Sequence, residues 1–149
     1  MIILMPIDIY KMQDIEIVNN SLSVDAGYSS KTGIMDYRGI WTDTGELYFE
    51  KKFYVGTNNL GEFLAVVHAL AQMKKDGLNN PIYTDSVTAM AWVKNKKANT
   101  KLELNESTLE LWDVINRAEE WLKLNSYSNS IFKWKTKKWG EIKADYNRK

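Results

Sequence analysis

The chain has 149 residues, of which 44% are apolar and 26% are charged, and its formal net charge is +1. This length suits a single domain, and so small a net charge does not by itself indicate a nucleic-acid or membrane partner. The chain lacks cysteine, which excludes disulfides, cysteine-ligated zinc and thiol catalysis and is compatible with a reducing compartment. We expect one globular unit, a cytoplasmic monomer.

Residues 1–20 differ in pattern from the rest of the chain. They mix apolar and acidic residues without a sustained period, so we interpret them as an N-terminal extension that holds one strand at most. The opening stretch has no basic leader, and Pro6 and Asp8 interrupt its short apolar run. Neither secretion nor a membrane partner is expected, since no apolar run approaches the length that crosses a bilayer.

Residues 21–149 form the predicted domain, which begins with three strands in succession. Their stretches are LSVDA (22–26), MDYRGIW (35–41) and ELYFEKKFYV (46–55). In the third stretch apolar residues alternate with polar or amphipathic ones, which is the period of a half-buried strand. Asp43 and Gly45 favour a tight hairpin before it. Three strands without an intervening helix predict an antiparallel meander.

The pattern changes to a helical period after residue 56. Leu60, Leu64, Val67 and Leu70 recur at helical spacing, and Gly77 supplies a stop signal. The remaining predicted elements are a strand at 81–85, a helix at 86–95, a longer helix with a capping box of Ser107 and Glu110, and a strand at 130–136. Crossovers through helices predict parallel pairing of the later strands, so the fold class is α/β with a mixed sheet.

Four acidic residues stand out only as a set. Taken singly, Asp25 suits a turn at a strand end, Glu62 a capping box with Asn59, Asp85 a helix N-cap and Asp145 a solvated site. In the predicted topology, however, the strands that carry Asp25 and Asp85 lie side by side, and Glu62 lies on the first turn of the covering helix. These three carboxylates would repel and raise one another's pKa values unless divalent cations bind. Oxygen ligands without cysteine or a histidine cluster favour Mg²⁺ or Mn²⁺ over zinc.

The motifs around these carboxylates resemble those of type 1 ribonuclease H. TNNLGEF (57–63) is similar to the family's Thr-Asn-Asn-x-x-Glu helix entry, and YTDSV (83–87) is similar to its Thr-Asp-Ser strand exit. SVDAGYS carries the first carboxylate and GEIKADYNRK the last one, in the family's order. The resemblance extends over most of the predicted domain. It implies a ribonuclease H-like fold, in which a mixed five-stranded sheet is flanked by helices.

The resemblance also implies an activity, the hydrolysis of the RNA strand of an RNA/DNA hybrid with two Mg²⁺ ions, for which Mn²⁺ can substitute. It assigns the catalytic, metal-binding role to Asp25, Glu62, Asp85 and Asp145. Two ions about 3.5 to 4 Å apart can activate a water molecule and stabilise the leaving oxygen. The reaction then needs no protein nucleophile.

Substrate contacts are implied in the minor groove of the hybrid, where 2′-hydroxyls on one strand distinguish RNA from DNA. By resemblance, Asn58 and Asn59 hydrogen-bond in this groove and Thr57 contacts a DNA-strand phosphate, although helix capping is an alternative role for these residues. Lysines clustered at 93–101 and 132–149 can dock a phosphate backbone, although a charge run is more often a solvated face. Further candidate contacts are Ser86, Trp92 and Trp139.

The chain departs from the family's pattern in three places. Ala26 stands where the family usually has glycine, and the loop before Asp145 lacks the family's histidine, so Glu141 or a nearby lysine is the candidate for its part. Few residues follow Asp145, which leaves little room for a closing helix. The single histidine of the chain, His68, is predicted to be a packed or solvated helix residue.

Two other functions remain open at the level of sequence. Related nucleases, resolvases and transposases also use clustered carboxylates, so the same fold can cleave DNA instead. A module that binds hybrids without cleaving them is the third candidate. The Thr-Asn-Asn signature favours the hybrid over DNA, and the presence of all four carboxylates favours an enzyme over a binder.

Overall fold

The computed structural model describes residues 16–146, and within them it confirms the predicted order of strands and helices. The strands are β1 (Leu22–Tyr28), β2 (Met35–Trp41), β3 (Leu47–Phe53), β4 (Ile82–Thr84) and β5 (Ile131–Lys133). The helices are α1 (Asn58–Lys75), α2 (Val87–Asn95), α3 (Leu109–Leu124) and the short α4 (Thr136–Trp139). The sequence pattern did not predict α4. Most of the predicted N-terminal extension lies outside the described residues.

The five strands form one mixed sheet in the order β3-β2-β1-β4-β5. The β1–β2 and β2–β3 pairs are antiparallel, whereas β1–β4 and β4–β5 are parallel. This is the predicted α/β arrangement with a ribonuclease H-like fold. None of the helices in residues 16–146 combines the length and apolarity needed to cross a membrane.

Because β1 is longer than β4, the sheet has a gap beside the second half of β1. β1 has seven residues and β4 has three, and their pairing covers only Leu22 with Ile82 and Ser23 with Tyr83. The second half of β1 therefore has no strand beside it on the β4 side. Asp25 lies in this half, and Asp85 follows β4 directly, so both carboxylates lie at the same gap in the sheet.

Two apolar clusters hold the sheet from opposite faces. On one face α1 packs over Leu22 and Val24, and 11 of its 18 residues are buried, which makes it the central helix of the core. On the other face Tyr83, Trp134 and Ile142 form a smaller cluster, which Ile17 and Val18 also contact. Burial of a large apolar side chain contributes about 1.5 to 3 kcal/mol, so the strands that frame the gap are firmly held.

The helix caps differ in detail from the predicted ones. Thr57 caps α1, with its hydroxyl accepting a hydrogen bond from the Leu60 N–H at 3.1 Å, and Ser86 caps α2 in the same way. Glu62 and Asp85 therefore cap no helix, contrary to their individual structural interpretations. The predicted capping box of Ser107 and Glu110 is wrong, because α3 begins one residue later and Ser107 instead hydrogen-bonds Asn105.

The close approach of α1 to β1 gives a first testable prediction. A Cβ atom at Gly61 would lie 2.8 Å from the Cβ atom of Ala26, so we expect Gly61→Ala to push α1 away from β1. Overpacking of this kind costs about 1 to 3 kcal/mol, and thermal unfolding would measure it. The double variant Gly61→Ala/Ala26→Gly should recover part of the loss because it removes the opposing methyl group. Equal stability of Gly61→Ala and the parent chain would contradict the prediction.

Candidate metal centre

Three of the four predicted carboxylates converge at the gap beside β1. Asp25, Glu62 and Asp85 each offer one oxygen atom, and these three atoms all lie within 4.8 Å of one another. Asp25 and Glu62 are buried, with 6% and 3% of their surface exposed, whereas Asp85 is partly exposed. We call this group the acidic centre. It is open enough on the Asp85 side for a ligand to approach.

Each member of the acidic centre is carried by a different element. Asp25 lies on the central strand β1, and Asp85 lies between the end of β4 and the cap of α2. Glu62 reaches β1 from the second turn of α1, where its Oε1 atom accepts a hydrogen bond from the Ala26 N–H at 3.2 Å. Ala26, one of the departures from the family's pattern, therefore contributes its backbone to the centre while its methyl group packs against Gly61.

Burial and mutual repulsion make the acidic centre costly to ionise. The pKa of Asp25 and the pKa of Glu62 are both raised, above all by burial, and the neighbouring carboxylates raise the pKa of Glu62 further. Burial also raises the pKa of Asp85, an effect that Lys133 opposes. Two of the three side chains are thus nearly removed from water and disfavour the charged form.

The donor set fits a divalent cation. The Oε2 atom of Glu62 is buried and accepts no hydrogen bond from a described N–H or O–H donor, and its carboxyl neighbour Asp25 can bond to Glu62 only when the two share a proton. Two buried carboxyl groups in this position are unfavourable unless a proton or a cation lies between them. A hard cation would satisfy this oxygen and cancel the repulsion among the three carboxylates. Carboxylate oxygens without sulfur or imidazole are the ligands that Mg²⁺ and Mn²⁺ prefer.

Asp145 lies near the acidic centre but outside its closest group. Its charge raises the pKa values of both Asp25 and Asp85, which places it within electrostatic reach of the two. Its carboxylate is not among the three that approach within 4.8 Å. Glu141 also raises the pKa of Asp85, so it lies within electrostatic range of that carboxyl group, and its assisting role stays a prediction.

Lys133 is a neighbour of the acidic centre that the sequence pattern did not single out. It pairs with Thr84 in the β4–β5 ladder, one residue before Asp85, and it lowers the pKa of that carboxyl group. In the sequence it appeared only as one lysine of a basic cluster. Only the strand register brings it beside Asp85, so no local signal could have identified it.

The predicted substrate contacts differ in their exposure. Asn58 and Asn59 are exposed on the first turn of α1, one turn before Glu62, while Thr57 and Ser86 cap helices. Trp92 is partly buried against Phe63, and Trp139 is partly buried against Trp134 and Tyr83. The substrate role of all six remains a prediction. The two asparagines have the most freedom to meet a ligand.

His68 is a packed helix residue, as predicted. Its Nδ1 atom lies 2.9 Å from the hydroxyl of Tyr37, and its ring stacks on Phe49 with centroids 4.1 Å apart. Burial, with a smaller effect of Lys51, lowers the pKa of His68 to about 4, so the ring is neutral at neutral pH. It contacts no member of the acidic centre and contributes to the core instead.

A groove in the described part of the chain lies away from the acidic centre. It has a volume of about 640 Å³ and lies between β3, α1 and α3, with Lys51, Lys52, Lys75 and Arg117 among the residues that line it. Asp25, Glu62 and Asp85 are not among the residues that line it, so this groove and the acidic centre are separate sites.

Comparison with known proteins yields a likeness of fold. No protein-family model matches the sequence. RNase H1 from the halophilic archaeon Halobacterium salinarum NRC-1 is 19% identical, and the match covers 76% of this chain and 83% of that chain with a TM-score of 0.43. The N-terminal RNase H domain of a Mycobacterium tuberculosis protein, solved as a fusion with maltose-binding protein, is 17% identical, with 77% and 80% covered and a TM-score of 0.37.

The strand order identifies the fold, and the grouped carboxylates give the position of its candidate site. The chain has a ribonuclease H-like fold, and an acidic centre lies at the gap beside its central strand. The two solved structures are similar to this chain in fold, and a sequence identity of 19% or 17% does not indicate its activity.

Proposed function

We propose that the chain is an endoribonuclease that hydrolyses the RNA strand of RNA/DNA hybrids with two divalent metal ions, Mg²⁺ or, as a substitute, Mn²⁺. The observation that carries this proposal is the convergence of Asp25, Glu62 and Asp85, with one buried oxygen of Glu62 left without a partner. A chain that only bound nucleic acid would gain nothing from holding repelling carboxylates together. An enzyme that cleaves phosphodiester bonds with bound cations needs grouped carboxylates, because they hold those cations.

The four carboxylates have the role of holding the metal ions. Asp25 is fixed by the central strand, and Glu62 is fixed by its hydrogen bond from Ala26, so its second oxygen stays free for a cation. Asp85 and Asp145 complete the set from the more exposed side. Bound ions would supply a polarised water for attack on the phosphorus and charge stabilisation at the leaving 3′-oxygen. Rigid supports of this kind favour such chemistry, because small displacements of ligands are costly.

Hybrid specificity is supported by the position of the exposed asparagines. Asn58 precedes Glu62 by four residues and Asn59 precedes it by three, so both lie on the side of α1 that carries Glu62. A duplex whose minor groove meets these amides is held with one strand next to the acidic centre. Amide groups can donate to and accept from 2′-hydroxyls, which a DNA strand lacks.

The proposal is tested by comparing three labelled duplexes of one sequence, an RNA/DNA hybrid, double-stranded DNA and double-stranded RNA. With Mg²⁺ we expect cleavage of the hybrid alone, in its RNA strand, leaving 3′-hydroxyl ends, and no cleavage in EDTA. Preferential cleavage of DNA or of double-stranded RNA would overturn the proposed specificity. Tight binding of the hybrid without cleavage in Mg²⁺ or Mn²⁺ would instead favour a non-catalytic binding module.

A further inference from the structure

The segment that carries Asp145 is fastened to the sheet by an arginine. The Nε atom of Arg38 donates a hydrogen bond to the carbonyl oxygen of Ala144 at 2.9 Å, and its Nη2 atom donates to the carbonyl oxygen of Asp145 at 2.7 Å. One guanidinium thus grips two successive peptide units through its rigid fork. Both bonds go to carbonyl oxygens, so Arg38 fixes the backbone without neutralising a carboxylate.

Arg38 lies directly opposite Asp25 on the neighbouring strand. The two residues are direct partners in the β1–β2 ladder, and Glu50 is the partner of Arg38 in the β2–β3 ladder. Direct partners in antiparallel strands project to the same face of a sheet. Asp25, Arg38 and Glu50 therefore lie side by side across three strands, and their side chains project from the same face of the sheet.

Tyr146 extends the attachment to the third strand. The guanidinium of Arg38 lies 4.5 Å from the centre of the Tyr146 ring, and the Tyr146 hydroxyl donates to Oε2 of Glu50 at 3.1 Å. Burial and the nearby carboxylates raise the pKa of Tyr146, which keeps its hydroxyl protonated and able to donate. Asp145 therefore lies between two residues, Ala144 and Tyr146, that are both tied to Arg38.

Within residues 16–146, the segment that carries Asp145 has an apolar anchor on its N-terminal side. Ile142 packs in the cluster of Tyr83 and Trp134, and Ala144 is also buried. The N–H of Asp145 donates to the carbonyl oxygen of Ile142 at 2.9 Å, which closes a tight turn. α4 ends at Trp139, so no helix or strand of the described chain contains Asp145. Arg38 supplies the fixed point that regular secondary structure does not.

We propose that Arg38 is a positioning residue, which holds Asp145 beside the acidic centre by gripping the Ala144 and Asp145 carbonyls. It acts through the backbone and touches neither the metal ions nor the substrate. This inference rests on the proposed function, since it gives a purpose to the position of Asp145 as a metal ligand. Loss of the grip should let the segment open locally and weaken metal binding at the site that Asp145 completes.

The test uses Arg38→Lys, which keeps the charge but loses the planar guanidinium. Arg117→Lys is the matched control, at an exposed position of α3 where Arg117 pairs with Asp113. Hydrogen exchange reports the segment directly. In Arg38→Lys we expect exchange of the Asp145 amide to accelerate about tenfold or more, while the β1 amides stay protected. Mn²⁺ titration calorimetry should show an affinity about 10 to 100-fold weaker. Arg117→Lys should change neither quantity.

Unchanged exchange at residues 142–146 and unchanged Mn²⁺ affinity in Arg38→Lys would overturn the inference. If Arg38→Lys lost its fold, Tyr146→Phe would probe the same attachment more gently, because it keeps the ring beside Arg38 and removes the hydroxyl that bonds to Glu50. Faster exchange at residues 142–146 in that variant supports the inference, and parent-like exchange contradicts it.

A double variant separates positioning from a general effect. When Arg38→Lys is added to Asp145→Asn, no further loss of Mn²⁺ affinity is expected, because both changes remove the same ligand. A full additional loss would contradict action through Asp145. Failure of the proposed function looks different: Asp85→Asn would then leave Mn²⁺ affinity unchanged, while hydrogen exchange would still show whether Arg38 holds the segment.

Discussion

Replacement of Asp85 by asparagine is expected to abolish Mg²⁺-dependent cleavage of an RNA/DNA hybrid while preserving the fold. Asparagine has the shape of aspartate but lacks its negative charge, so the variant keeps the packing around β4 and loses a cation ligand. Loss of a residue that merely supports a metal ligand costs about 10 to 100-fold. Loss of the ligand itself should cost more, and Asp25→Asn should behave in the same way.

The assay follows release of a labelled RNA fragment, and circular dichroism with thermal unfolding verifies the fold of each variant. Asp113→Asn is the matched control, since Asp113 is exposed on α3 and pairs with Arg117. It should retain parent activity. Full activity in a folded Asp25→Asn or Asp85→Asn variant would overturn the assignment of the acidic centre as the catalytic site.

Without divalent cations, the free energy of unfolding is expected to fall as the pH rises above about 4.5. Asp25 and Glu62 have ordinary pKa values of 3.8 and 4.5, and folding raises both. Above those values the unfolded chain has released protons that the folded chain still binds, so rising pH favours unfolding. The loss therefore grows from weakly acidic pH toward neutrality and is absent at lower pH, where both states are protonated.

Mg²⁺ or Mn²⁺ should reverse this loss, because cations bind the ionised carboxylates of the folded state alone. At a concentration of about 100 times Kd, one bound ion stabilises by about 2.7 kcal/mol. For a chain of this size that corresponds to a rise in Tm of about 5 to 10 °C. Thermal unfolding between pH 4.5 and 7.5, with and without cation, would measure both effects.

Glu62→Gln provides the matching variant for this linkage. It removes a carboxyl group that is ionised in the unfolded chain at neutral pH but must hold a proton when buried. The apo protein should therefore become more stable at neutral pH and less sensitive to both pH and cation. Glu106→Gln, at an exposed position before α3, should keep the parent behaviour. A parent-like cation response in Glu62→Gln would show that the orphaned oxygen is not a cation ligand.

Much of the fold was accessible from the sequence because its signals are local. Alternation over residues 46–55 and helical spacing from Leu60 to Leu70 identify β3 and α1 without knowledge of their neighbours. The helix caps were harder to predict, since Thr57 is followed by Asn58 and Asn59 and Ser86 is preceded by Asp85, all of which are equally capable of capping. The wrong choice of Ser107 has this origin, because Asn105 competes for its hydroxyl.

The acidic centre was only partly accessible. Convergence of Asp25, Glu62 and Asp85 follows from strand order, so the sequence could predict it. The attachment of Asp145 could not be predicted, because it depends on a register that aligns Arg38 with both Asp25 and Glu50 across three strands. An arginine within MDYRGIW is indistinguishable from an ordinary solvated strand residue until that register is known.

The hydrogen bond from Ala26 to Glu62 also completes the pairing of the central strand. Where β4 stops, β1 has no neighbouring strand on that side, so its buried main-chain donors there need other acceptors. The Glu62 carboxyl supplies one, since its Oε1 atom accepts a hydrogen bond from the Ala26 N–H. The side chain proposed to bind metal thus also replaces one bond of the missing strand ladder, at the centre of the sheet rather than at its rim.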